Sequence, residues 1–153
     1  MIRFVPGRGG APLLVVLAGA LAGVAAVAAA GGDAAAPTER RSVAGGVYSE
    51  AQAERGMSLY IRQCSACHGE MFNGGVAGPA LVGVEFLGRW QGMTVGQLYE
   101  RIVTTMPPLP DTPGKAGPQG NIDMVATILQ ANELPAGRQE VTDPAELDSI
   151  VFD

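Results

Sequence analysis

The chain has little of what most metal sites and nucleic-acid surfaces are made from. Two cysteines and one histidine occur in 153 residues, and all three fall between Cys64 and His68. A structural zinc site needs four ligands, hence a second pair elsewhere. No other Cys or His exists, so zinc would have to borrow carboxylates. Lysine is nearly missing as well, Lys115 being the only one. The formal charge is −5, and −7 if Arg3 and Arg8 leave with a leader, 8 basic against 15 acidic residues. Phosphate binding wants basic clusters, so no nucleic-acid partner is expected. There is no internal repeat and no convincing strand alternation.

Charge is also missing from Ala11 to Ala30, where no side chain is charged or polar. Arg3 and Arg8 precede that run, and small residues at 28–30 and 34–36 follow it. Residues 1–30 therefore read as a signal peptide or as an N-terminal membrane anchor. Positions 11–30 are about long enough to span a bilayer. A buried core helix is a poor third reading, because the run has no polar face. Either favoured reading puts the rest of the chain outside the cytoplasmic membrane, in the periplasm or on that membrane's outer face. Residues 31–46, "GGDAAAPTERRSVAGG", carry no hydrophobic period and read as a flexible linker. The folded domain is expected over 47–137, with an acidic extension at 138–153. About a hundred residues make a marginal core, which a large buried cofactor would help.

What is present is "QCSACHGE". A thioredoxin-like CxxC belongs to a strand–helix unit, and its flanks here read as helix before and irregular chain after. A disulfide between Cys64 and Cys67 suits an exported pair but leaves His68 unexplained. Covalent haem attachment uses all three: two thiols add across the two vinyl groups, and the adjacent His68 ligates the iron. The cofactor expected is one haem c, attached through Cys64 and Cys67. A sixth ligand must then come from methionine, since no second histidine exists. Met57 lies in the helix before Cys64, Met71 is too close behind His68, and Met124 fits an apolar helix. Met93 and Met106 remain. Met106 precedes Pro107-Pro108, which pushes it out of helical conformation and makes "TTMPPLP" a stiff strap presenting one thioether. Met106 is the choice, with Met93 its competitor and simple packing of Met106 the alternative role.

Three helices are expected around this site. Ser49 with Gln52 makes a capping box, followed by Ala53, Met57, Tyr60, Ile61 and Cys64 on one face. Gly56 costs about 1 kcal/mol against Ala in a helix, which a close helix approach would justify. Thr94 with Gln97 opens a second helix to about Val103, with Val95, Leu98, Tyr99 and Ile102 inward. The third runs from about Asn121 to Asn132, its stripe made by Ile122, Val125, Ala126 and Leu129. Gly- and Pro-rich loops join them.

The stretch from about Val47 to Gly137 resembles a class I monohaem cytochrome c. "ERGMSLYIRQCSACHG" is similar to the helix leading to the haem motif, and "GPALVG" to the family's proline loop. "FLGRWQGMTVGQLYERIVTTMPP" and "DMVATILQANELPAG" are similar to small cytochromes found with quinoprotein alcohol dehydrogenases. The resemblance implies an all-α small cytochrome c fold, three or more helices with long loops packed around one covalently bound haem. It implies that the Pro79 carbonyl accepts a hydrogen bond from His68, that Met106 is the iron ligand, and that Gly56 and Tyr60 cross the C-terminal helix. Thr127 departs from the group, which commonly has an aromatic there, so the crossing is expected to be looser or to lean on Tyr60. Arg89 and Trp90 are candidates for a haem propionate, against surface charge and ordinary packing respectively. Thr142 or Asp143 with Pro144 could start a short helix.

The function expected is electron transfer and not catalysis, with the iron cycling between Fe(II) and Fe(III). Partners would be a quinoprotein dehydrogenase, another cytochrome or a terminal oxidase. Two alternatives stand beside it: a gas sensor or peroxide-reactive enzyme with a labile methionine, and a fixed haem subunit of a respiratory or dehydrogenase complex.

Overall fold

A computed structural model describes residues 39–153. The leader at 1–30 and the linker up to residue 38 lie outside the described residues. Five helices carry the fold: α1 (Glu50–Gln63), α2 (Ser65–His68), α3 (Val84–Trp90), α4 (Val95–Thr105) and α5 (Gly117–Ala131). Two short strands, β1 (Arg41–Ser42) and β2 (Ile150–Val151), pair in parallel, Arg41 opposite Ile150 and Ser42 opposite Val151.

Helix α1 starts where its cap residue allows. Ser49 Oγ accepts from the Gln52 amide at 3.1 Å, satisfying one of the free N–H groups of the first turn. The reciprocal half of the box is not made. Gln52 is buried and turns instead to Val141, donating to its carbonyl at 2.8 Å and accepting from its amide at 3.1 Å. At α4 the box is complete: Thr94 Oγ1 accepts from Gln97 N at 3.1 Å, and Gln97 Oε1 accepts from Thr94 N at 2.9 Å. That helix runs to Thr105, two residues beyond expectation.

The buried face of α1 is Gln52, Ala53, Gly56 and Tyr60. Met57 and Ile61, expected on that face, are 36% and 45% exposed. The reason is the crossing with α5. A Cβ on Gly56 would overlap the Asp123 carbonyl and Thr127 Oγ1, so the glycine side is the contact side and Met57 turns outward. The crossing is not loosened by Thr127. That residue is 0% exposed and its hydroxyl donates to the Ala53 carbonyl at 2.5 Å, replacing bulk with a hydrogen bond between the helices. Tyr60 stacks on Phe72 at 3.9 Å between ring centroids and donates to the Gly69 carbonyl at 2.6 Å.

Helix α5 begins at Gly117, four residues earlier than expected, with Pro118 in its first turn, where a missing N–H costs nothing. From Asn121 to Leu129 every residue is buried. Its Asp123 carboxylate is bound by Arg55 at 2.9 Å, and Arg55 also reaches Glu140 at 2.9 Å.

Two domain boundaries need correction. The linker expected through Gly46 ends sooner, because β1 and a 3-10 turn at Val43–Gly45 are part of the fold and Val43 is buried. The segment 138–153 is no appendage. Asp143 caps a 3-10 turn at Pro144–Ser149, accepting from Ala145 N at 2.9 Å. Val141, Leu147, Ile150 and Phe152 are all buried. A Cβ on Gly96 would overlap Asp148, so this turn lies directly on α4.

Candidate haem-binding site

The C-terminal end of α1 delivers the CxxCH stretch. The Cys64 amide donates to Tyr60 O at 2.8 Å, and the Cys64 carbonyl accepts from both Cys67 N (3.1 Å) and His68 N (2.9 Å). This tight turn forms α2. Cys64 and His68 line a cavity of about 570 Å³. Cys67 is half-buried and stands outside its wall. Both thiols are free. Among the described residues no three His, Cys, Asp or Glu side chains converge. Burial pushes the Cys64 thiol up to about 11, with Lys115 opposing and Cys67 adding to the rise. Tyr60 is pushed up to about 12, by burial first and then by Cys64. Thiol and phenol are therefore neutral at pH 7.

His68 is aimed by the loop that follows it. Its Nδ1 lies 2.7 Å from the Pro79 carbonyl oxygen. A carbonyl only accepts, so Nδ1 is the donor, and Nε2 is the ring nitrogen left for a metal. Gly78 makes the approach achievable, since a Cβ there would lie 3.0 Å from both His68 Nδ1 and the Cys67 carbonyl. The loop is closed by Gly74 N donating to His68 O and Leu81 N to Phe72 O, each at 2.8 Å.

Other elements supply the remaining walls. Helix α4 ends on Met106, which is extended at φ −124°, ψ 136°, as a residue before proline should be. Met106 and Pro107 line the cavity, and so does Met93, the competitor. Arg89 and Trp90 line it too, Arg89 exposed and Trp90 half-buried. The Trp90 ring lies 6.2 Å from those of Phe86 and Phe152. The Phe152 main chain holds this corner, accepting from Gly92 N at 2.6 Å and donating to Met93 O at 3.0 Å. Met124, expected in the core, is buried and also on the wall, its Sδ 3.8 Å from Cys64 Sγ.

Sequence reasoning missed Arg101 and Ile128, which line the same cavity. Arg101 stands three residues beyond the inward Leu98 on α4, and that spacing is the signal that could have found it. Neither Arg89 nor Arg101 is in an ion pair among the described residues.

The cavity suits a haem. Cavities of about 300–1,000 Å³ take ligands of cofactor size, and this one has a thiol, an imidazole with a free nitrogen, and a thioether on its walls. The helical fold and the CxxCH turn at this cavity define a c-type cytochrome domain. Residues 51–127 match the family model described as cytochrome C oxidase, cbb3-type, subunit III, and the chain belongs to that family. No curated protein and no solved structure matches. Membership implies a covalently bound haem c and haem-based electron transfer, as a carrier or an oxidase subunit. Among the described residues no helix is long and apolar enough to cross a membrane.

Proposed function

We propose that this is a monohaem electron-transfer domain in which Cys64 and Cys67 would attach the haem covalently and His68 and Met106 would ligate its iron. When bound, the haem supplies an iron that alternates between Fe(II) and Fe(III). The chain's residues do the rest. Pro79 holds the His68 ring in one orientation and one tautomer, raising its basicity toward the metal. Met106, an uncharged donor, favours the reduced state and a higher potential. With His68 and Met106 both serving as ligands, the iron would have no position left for a substrate, which supports a carrier over an enzyme. Arg89 and Trp90 line the same cavity, and each would offer a propionate a donor, Arg89 by charge and Trp90 by its ring N–H.

The leader at 1–30 would export the domain or anchor it by 11–30, placing it in the periplasm or on the outer face of the cytoplasmic membrane. Residues 31–40 then form the tether and 41–153 the folded domain. A donor would be a quinoprotein dehydrogenase or another cytochrome. An acceptor would be a cytochrome or a terminal oxidase. The family description favours a second placing of the same chemistry, as a fixed haem subunit of an oxidase.

The observation that carries the reading is the meeting of Cys64, His68 and Met106 on one cavity. Optical spectra of the exported protein, oxidised, reduced and reduced with carbon monoxide, test it beside Met106→Ala. A low-spin wild type that ignores carbon monoxide, next to a variant that binds it, is the expected result. A wild type that binds carbon monoxide readily would overturn the carrier reading in favour of sensing or peroxide chemistry.

A further inference from the structure

We infer that Asn121 is a positioning residue for Met106, acting through Gly114. The inference rests on the reading of Met106 as an axial ligand. The Met106 carbonyl accepts from Gly114 N at 2.8 Å, which closes residues 107–113 into a loop. Gly114 has φ +65°, and a Cβ there would lie 2.9 Å from the Val103 carbonyl oxygen. The far end of the loop thus lies flat against the last turns of α4, where only glycine fits. The Gly114 carbonyl in turn accepts from Asn121 Nδ2 at 3.0 Å.

Asn121 is an expensive residue for this place. It is 2% exposed, and its Oδ1 has no hydrogen-bond partner among the described residues. A buried amide with its acceptor unpaired is worse for stability than an apolar side chain of similar volume. The donor half is the part with a partner, and that partner is the strap carrying Met106. The other end of the connection is equally firm. Helix α5 is fixed to α1 at Gly56 and Thr127, and α1 runs directly into the turn bearing His68. Asn121 therefore joins the methionine side of the cavity to the histidine side through one buried helix.

The consequence concerns competition. A tethered ligand acts at an effective concentration set by how tightly its tether holds it. Loosening the strap lowers that concentration for the Met106 thioether, and an outside ligand then displaces it more easily. Loss of one hydrogen bond predicts about a five- to tenfold change.

The test uses the haem-loaded full chain in the ferric state, titrated with imidazole and followed by absorption. Asn121→Leu removes the donor and the orphan acceptor together. Asn121→Asp keeps the shape and, when ionised, has no proton for Gly114. Both are expected to bind imidazole about five- to tenfold more tightly than wild type, and Met106→Ala more tightly still. A purely structural role would lower the urea midpoint and leave imidazole affinity unchanged, and that result overturns the inference. Wild-type imidazole affinity in Met106→Ala would instead remove the ligand reading on which the inference stands. Should neither Asn121 variant load haem, the wild type decides alone. Slow hydrogen exchange at both the Gly114 amide and an Asn121 Nδ2 proton, matching the end of α4, supports the relay, and fast exchange at either overturns it.

Discussion

Phe152 places its ring 6.2 Å from that of Trp90, so the tail of the chain braces a wall of the haem cavity. Phe152 is 3% exposed. Phe152→Ala should destabilise the domain by about 3–5 kcal/mol, the usual cost of emptying a buried aromatic site. Urea denaturation followed by circular dichroism measures the loss, and Trp90 fluorescence should shift in the folded variant. A loss within a few tenths of a kcal/mol would mean the tail is not packed as described.

Gly56 faces two opposed effects on substitution by alanine. Helix propensity favours alanine by about 1 kcal/mol. Against it, the new methyl would overlap the Asp123 carbonyl and Thr127 Oγ1. A backbone carbonyl cannot swing aside, so the helices must separate, and overpacking costs about 1–3 kcal/mol or more. Gly56→Ala should lower stability by about 2 kcal/mol. A stabilised variant would mean that α1 and α5 do not approach so closely.

Met93 and Met106 both line the cavity, and the proposed function makes Met106 the iron ligand and Met93 a packing residue. Met93→Leu keeps volume and loses the sulfur. Its oxidised and reduced spectra should match wild type, and the reduced form should still ignore carbon monoxide. Carbon monoxide binding by this variant, with Met106→Ala unchanged, would move the ligand to Met93.

Acid should weaken the junction between α1 and the tail. Hydrogen bonds from Arg55, then from Ser49, hold the Glu140 carboxyl below the usual glutamate range. A lowered folded value gives stability that is present above the unfolded value, about 4.3, and lost as pH falls through the folded one. The urea midpoint should therefore hold level from pH 7 toward 5 and then drop. Glu140→Gln should show a smaller drop over the same range. An identical acid profile in the variant would show that Glu140 is not coupled to folding.

Local chemistry made some of this legible and hid the rest. The starts of α1 and α4 could be read because Ser49 and Thr94 act within one turn of themselves. The break at Met106 could be read because Pro107 acts on its immediate neighbour. The CxxCH stretch announced its chemistry through residue type and spacing alone. Met57 and Ile61 were misplaced because an apolar period cannot show that a bare backbone, at Gly56, is the preferred contact. The strands were invisible because two-residue segments have no period, and β1 and β2 come from opposite ends of the domain. Gln52 looked like half of a cap, yet its partner Val141 is distant in sequence.

The pairing of Arg41 with Ile150 has a mechanical side. It brings the two ends of the domain to one corner, so anything joined before residue 41 and anything joined near residue 153 leaves from the same place. A pull on either attachment is resisted first by a two-rung parallel ladder and by the Ser42–Asp153 hydrogen bond at 2.5 Å. The haem cavity would feel such a load through Phe152, which directly follows the ladder's last residue, Val151, and faces Trp90. The two ends of the domain therefore meet beside one wall of its redox centre.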